Sequence, residues 1–172
     1  GNIQDYTVLA LLPSYLERAG SSLIYMINDL IALSEDVNSG FYLDNYDELI
    51  LKLIELDSSN KNVILIGVTY ALLDLIEKQK FQLKNTIIME TGGMKGRKEE
   101  MTKDELLKVL QEGFKTDRIF SEYSMTELLS QAYSLGENEY QCPHWMRILI
   151  RNTEDPFSYM EEGRTGAINI ID

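Results

Sequence analysis

Residues 85–107, "NTIIMETGGMKGRKEEMTKDELL", decide how the rest of the chain is read. A short apolar, β-branched run from Thr86 to Met89 leads straight into Gly92 and Gly93. After a basic turn carrying Lys95, Arg97 and Lys98, Thr102 and Glu105 stand at the spacing of a capping box. In that motif each side chain satisfies the other's free backbone amide, so a helix starts there. The stretch therefore predicts strand, glycine turn, helix.

The same order extends outward in both directions. On the amino side, "KNVILIGV" (61–68) predicts a strand and "TYALLDLIEKQK" (69–80) a helix. Further back, "TVLALL" (7–12), closed by Pro13, reads as a buried strand. "GSSLIYMINDLIALSED" (20–36) reads as a helix capped by Ser21 or Ser22, with Leu23, Ile27, Leu30 and Ile31 on one face. "DNYDELILKLIELDSSN" (44–60) repeats the scheme with Leu49, Leu53, Ile54 and Leu56. On the carboxyl side, "DRIFSEYS" predicts a strand and "MTELLSQAY" (125–133) a short helix. "HWMRILIRN" and "TGAINIID" predict two further strands, joined by a polar loop with Glu154, Asp155, Glu161 and Glu162.

Alternating strands and helices imply the α/β class, a mostly parallel sheet flanked by helices. The expected division is an α/β subdomain over 1–140 and a short β-rich segment over 141–172. In such sheets ligands sit outside the carboxyl ends of the strands. The loops after "IIME" and after "RIFSE" are thereby placed on one rim.

Composition narrows the function. The formal charge of the 172 residues is -12. Residues 1–60 hold ten acidic side chains against Arg18 and Lys52, whereas 77–118 hold eight acidic against ten basic. An acidic chain repels phosphate backbones, which argues against a nucleic-acid partner. No apolar run approaches the ~20 residues of a membrane-spanning helix, and no charged-then-apolar leader opens the sequence, so the expected compartment is the cytoplasm, with no membrane partner. Cys142 and His144 are the single cysteine and histidine, which leaves no internal disulfide and no thiolate or histidine cluster for zinc. Cys142 reads as a small buried hydrophobe rather than a nucleophile.

On the rim, Gly92 and Gly93 let the backbone come close to a flat or charged ligand and leave amides free to donate. Lys95 and Arg97 add positive charge. "EYSMTE" (122–127) offers an aromatic face in Tyr123, a hydroxyl in Thr126 and a hard oxygen ligand in Glu127. A nucleotide with magnesium needs that set of groups. The residues taken singly also fit blander roles: a solvated turn at 92–97, a packing tyrosine, Thr126 as a helix N-cap, and Glu127 as a carboxylate complementing a helix dipole.

"NTIIMETGGMKGRKEEMTKDELL" followed by "DRIFSEYSMTELLSQAYS" resembles the acyl-protein synthetase (LuxE-type) branch of the adenylate-forming enzymes, the superfamily of acyl-CoA synthetases and phenylacetate-CoA ligase. "LLPSYLERAGSSLIYM", "NVILIGVTYALLDLI", "PHWMRILIRN" and "EEGRTGAINIID" resemble the same branch in the same order. The resemblance implies part of the large domain of an adenylate-forming enzyme. It implies ATP and Mg2+ as cofactors, a carboxylic acid as substrate, and an acyl adenylate passed to a protein thiol or to CoA, as in fatty acid metabolism. It further implies that Tyr123 stacks on adenine within the Tyr123–Ser124–Met125–Thr126–Glu127 motif and that Thr126 contacts the α-phosphate. Glu127 is implied as the magnesium ligand, and Gly92, Gly93 and Met94 as lining the adenine and acyl pocket. Thr126 and Glu127 are thus the implied catalytic residues.

Ser124 stands where the superfamily motif has glycine. The superfamily's phosphate loop, its Gly-Asp ribose clamp and its catalytic lysine have no counterpart in the 172 residues, so the sequence reads as a central slice of a longer enzyme. The alternative reading is a docking module of the same fold without catalysis. A homo-oligomer is compatible with either.

Overall fold

In the computed structural model, which describes residues 1–13, 20–94 and 96–172, the apolar runs form strands and the 3.6-period runs form helices. A 3-10 turn, Ile3–Asp5, precedes β1 (Tyr6–Leu11), α1 (Ser22–Ser34), β2 (Gly40–Tyr42), α2 (Tyr46–Ser58) and β3 (Asn62–Val68). Then come α3 (Thr69–Lys78), β4 (Thr86–Thr91), α4 (Lys103–Phe114) and β5 (Ile119–Tyr123). Four further strands follow: β6 (Ala132–Ser134), β7 (Tyr140–Gln141), β8 (Arg147–Arg151) and β9 (Ala167–Ile171).

Seven strands make one sheet in the order β2-β1-β3-β4-β5-β6-β7. The first five are parallel; β6 then pairs antiparallel with β5, and β7 antiparallel with β6. β8 and β9 form a separate antiparallel hairpin, with Ile148 opposite Ile170 and Ile150 opposite Ile168. The fold is thus the expected α/β class, a mostly parallel sheet flanked by helices, followed by a β-rich segment.

Right-handed crossovers place a helix by the direction in which the chain moves along the sheet. The chain moves one way from β1 to β2 and the other way from β2 through β5, so α1 covers one face and α2, α3 and α4 the opposite one. Coverage is correspondingly uneven. On the three-helix face Leu65, Ile88 and Ile119 are buried, and α3, flanked by neighbours, buries Tyr70, Leu72, Leu73, Leu75 and Ile76. On the α1 face Ile64, Ile87, Met89 and Phe120 are only half-buried.

The capping box forms as read. Glu105 Oε2 accepts from the Thr102 amide at 2.9 Å, and Thr102 Oγ1 accepts from the Glu105 amide at 3.3 Å. α4 then buries Leu106, Leu107, Leu110 and Phe114 and stops at Lys115, whose φ of 56° is left-handed. Ser21, not Ser22, caps α1, accepting from the Ile24 amide.

One expected element is absent. Residues 125–133 do not form a helix: 125–131 are a loop, and Ala132 and Tyr133 open β6. Pairing wins there: Ala132, Tyr133 and Ser134 lie opposite Tyr123, Glu122 and Ser121, so their backbone groups are satisfied by β5. The loop is also pinned from outside. The Ser130 amide donates to Asp172 at 2.6 Å, and the Trp145 indole donates to Ser130 Oγ at 2.6 Å.

Candidate functional site

β1, β3, β4 and β5 all end on the same rim, at Leu11, Val68, Thr91 and Tyr123. Thr91 pairs with Glu122 across β4 and β5, so the next residues outward are Gly92 and Tyr123. Adjacent strands lie about 4.8 Å apart, which brings the two loops singled out in the sequence side by side. Gly92 has a φ of +74°, a conformation side chains disfavour, and it turns the chain out of β4. A Cβ built on Gly93 would meet nothing within 4 Å, so the space beside that backbone is open.

Tyr123 is 38% exposed. Its ring meets Tyr140 edge to face, with centroids 6.2 Å apart, and its hydroxyl donates to Met125 Sδ at 3.1 Å. Ser124, Met125, Thr126 and Glu127 are exposed. Neither Thr126 nor Glu127 makes a side-chain hydrogen bond or ion pair with another described residue. Because no helix begins here, Thr126 is not an N-cap and Glu127 does not complement a helix end. Met94 differs from its neighbours: it is 3% exposed and belongs to the hydrophobic core, so its side chain packs inward.

The basic residues of the turn are largely engaged with α3. The Arg97 guanidinium sits 4.7 Å from the Tyr70 ring centroid. Lys98 bridges Asp74 at 2.8 Å and Glu77 at 2.7 Å. Partial burial works to lower the Lys98 pKa, but its two carboxylate partners outweigh this and raise it. Lys95 lies outside the described residues.

Below the rim lie groups that the sequence reading missed. Glu90, 1% exposed, accepts from Thr69 Oγ1 at 2.9 Å and pairs with Lys103, the first residue of α4. This trio ties β4, α3 and α4 together just before the glycine turn. Glu122, 5% exposed, accepts from the Thr91 hydroxyl. Tyr133 lies opposite Glu122; burial first, then the charge of Glu122, raises its phenol above the ordinary 10.0. The available signal was an acid closing each apolar run, "IIME" and "IFSE". At a groove of about 760 Å³, Ser21, Tyr25 and Met26 of the α1 amino end face Gln131.

No protein-family model and no curated protein matches the sequence. Solved structures do match. A mutant form of coronafacic acid ligase from Pectobacterium brasiliense superposes with a TM-score of 0.53 at 19% identity, over 88% of this chain and 29% of that one. The chain shares its fold with a ligase. CmiS6 superposes with a TM-score of 0.51 at 16% identity, over 96% of this chain and 40% of its own. The chain therefore spans less than half the length of either neighbour. Among the described residues no helix is long and apolar enough to cross a membrane, and no group of three or more His, Cys, Asp or Glu is placed to hold a metal.

Proposed function

We propose that the chain supplies the nucleotide-binding part of an ATP-dependent acyl-activating ligase of the acyl-protein synthetase type. The observation that carries this reading is the side-by-side placement of the Gly92–Gly93 turn and Tyr123 at the ends of β4 and β5, with Thr126 and Glu127 exposed beyond them. The ligase fold supports it at a coarser level.

In the proposed reaction a substrate carboxylate oxygen attacks the α-phosphorus of ATP, and the bond to pyrophosphate breaks. A thiolate, from a protein cysteine or CoA, then attacks the acyl carbon and AMP leaves. Tyr123 offers its ring to the adenine, and the open backbone at Gly93 gives that ring a second wall. The Thr126 hydroxyl donates to a phosphate oxygen. Glu127 is a hard oxygen ligand with no partner among the described residues, which fits a magnesium ion held by one carboxylate together with substrate phosphates. Magnesium, when bound, neutralises charge on the phosphates. Preplaced donors at the rim stabilise the charge that develops there. The cytoplasm belongs to the same proposal.

The test is carboxylate-dependent pyrophosphate release by the full-length protein, with the acyl product trapped by hydroxylamine. Glu127→Gln is expected to lower magnesium-dependent kcat by about 100-fold. Absence of both turnover and ATP binding with every aliphatic and aromatic acid tried would remove the reading. A docking module of the same fold is the second reading, favoured by the exposure of Leu129, Phe157 and Ile168. For that reading Glu127→Gln leaves partner binding unchanged.

A further inference from the structure

Two buried acids close neighbouring strands, and they are satisfied differently. Glu90 uses both oxygens, one for Thr69 and one for Lys103. Glu122 uses one: Oε2 accepts from Thr91, while Oε1 is buried without a hydrogen-bond partner among the described residues. Leaving a desolvated carboxylate oxygen unpaired is costly, more so than leaving a neutral group. Such an oxygen in a folded protein calls for a specific explanation, and a bound donor is one.

The surroundings of Glu122 indicate from where. The register puts Thr91, Glu122 and Tyr133 on the α1 face of the sheet. Across it, the Tyr133 hydroxyl donates to Met26 Sδ at 3.6 Å. Sulfur is a weak acceptor, and methionine is unbranched with three rotatable bonds, so this contact yields easily to an incoming group. Met26 also lines the groove of about 760 Å³ between α1 and Gln131. Met26 thus touches both the groove and Tyr133, the residue opposite Glu122, and these contacts trace the route by which the inference below brings a substrate chain to the acid. Ser121 and Ser134, whose hydroxyls are likewise unpartnered, lie opposite each other on the other face and do not border this route.

We infer that Glu122 is a specificity-determining residue, selecting carboxylic acids whose carbon skeleton carries a hydroxyl or amino donor that pairs with its free oxygen. The inference rests on the acyl-activating reading above. It follows from an asymmetry of recognition: a site built to hydrogen-bond a substrate donor strongly rejects the analogue lacking it, because its own polar group is then left unpaired.

The experiment compares plain, hydroxy and amino acids of matched chain length by pyrophosphate release on the full-length protein. A kcat/KM at least about 100-fold higher for the hydroxy or amino acid than for its plain partner is expected. In Glu122→Gln, Thr91 retains the amide carbonyl and an NH2 takes the place of Oε1; an NH2 cannot accept from an amino donor, so the amino-to-plain ratio is expected to narrow about tenfold or more, whereas a hydroxyl can still accept from it. Equal rates for plain and donor-bearing acids in the wild-type protein overturn this inference and leave the ligase reading standing. An equal loss on all acids in Glu122→Gln also overturns it, marking Glu122 as structural only. Turnover of no acid at all overturns both readings together.

Discussion

The two rims of the seven-stranded sheet are built on opposite terms. At the amino rim, Asp57 closes α2 and is 8% exposed. Its carboxylate accepts from the Lys84 amide at 3.0 Å, the Asn85 amide at 2.8 Å and Thr86 Oγ1 at 2.8 Å. A concavity of about 590 Å³ beside it, lined by Phe81, Lys84 and Asn85, offers a ligand no free Asp57 oxygen. Asp36 does similar work beside β1, accepting from Thr7 Oγ1 at 2.7 Å and from the Asn38 amide at 2.9 Å. At the carboxyl rim, by contrast, Thr126 and Glu127 are exposed, Gly93 faces open space, and among the described residues Thr126, Glu127 and one buried Glu122 oxygen have no partner. Polar groups at the amino rim all hold the fold together; at the carboxyl rim Glu90 and Lys98 do so as well, but Thr126, Glu127 and one Glu122 oxygen are left available, as ligand sites in open α/β sheets require.

Substitutions at the two rims sharpen that contrast. The largest effect is expected at Asp57→Ala, which strands two backbone amides and a buried hydroxyl at once. Urea unfolding is expected to show a loss of about 3 kcal/mol, and a loss below about 1 kcal/mol would mean that the amino rim is not the lock described. A smaller effect concerns acid. Burial of Asp36 works to raise its pKa, yet the Asn38 amide, the Thr7 hydroxyl and Lys61 together hold it below 3.8. A carboxylate depressed in the folded state contributes stability that is present above its unfolded pKa and lost as pH falls through its folded one. Asp36→Asn is therefore expected to be less stable at neutral pH by about 1 kcal/mol and to lose less on acidification, read from urea midpoints between about pH 5 and pH 2. An unchanged acid limb would contradict the assignment. The smallest effect is expected at the open rim, where Thr126→Val and Glu127→Gln are predicted to change unfolding free energy by less than about 0.5 kcal/mol. A larger loss would show that these groups serve the fold.

Much of the architecture was legible because its signals are local. The Thr102–Glu105 box, the helical spacing around Ile27 and Leu53, and the apolar runs ending at Val68 and Thr91 each specify an element within a few residues. β2, β6 and β7, two or three residues long, are too short to show a period, and they exist through pairing with distant strands. The same cause explains residues 125–133, where Leu128 and Leu129 resemble a helix face but pairing to β5 and the Ser130 contacts win. At the candidate site, the glycine turn and Tyr123 could be placed on one rim from strand order alone. Glu90 and Glu122 could not, since their meaning depends on Lys103, Thr69, Thr91 and Tyr133, which only tertiary contacts bring to them.

The central claim is that the ends of β4 and β5 form one nucleotide-binding surface. Hydrogen exchange on the full-length protein, with and without ATP and magnesium, tests it most directly. Slowed exchange at the amides of Gly92, Gly93, Tyr123, Ser124 and Thr126, with the Lys84–Thr86 segment unaffected, is the predicted result. Slowing confined to the Asp57 rim, or no change at either glycine or at Tyr123, would contradict it.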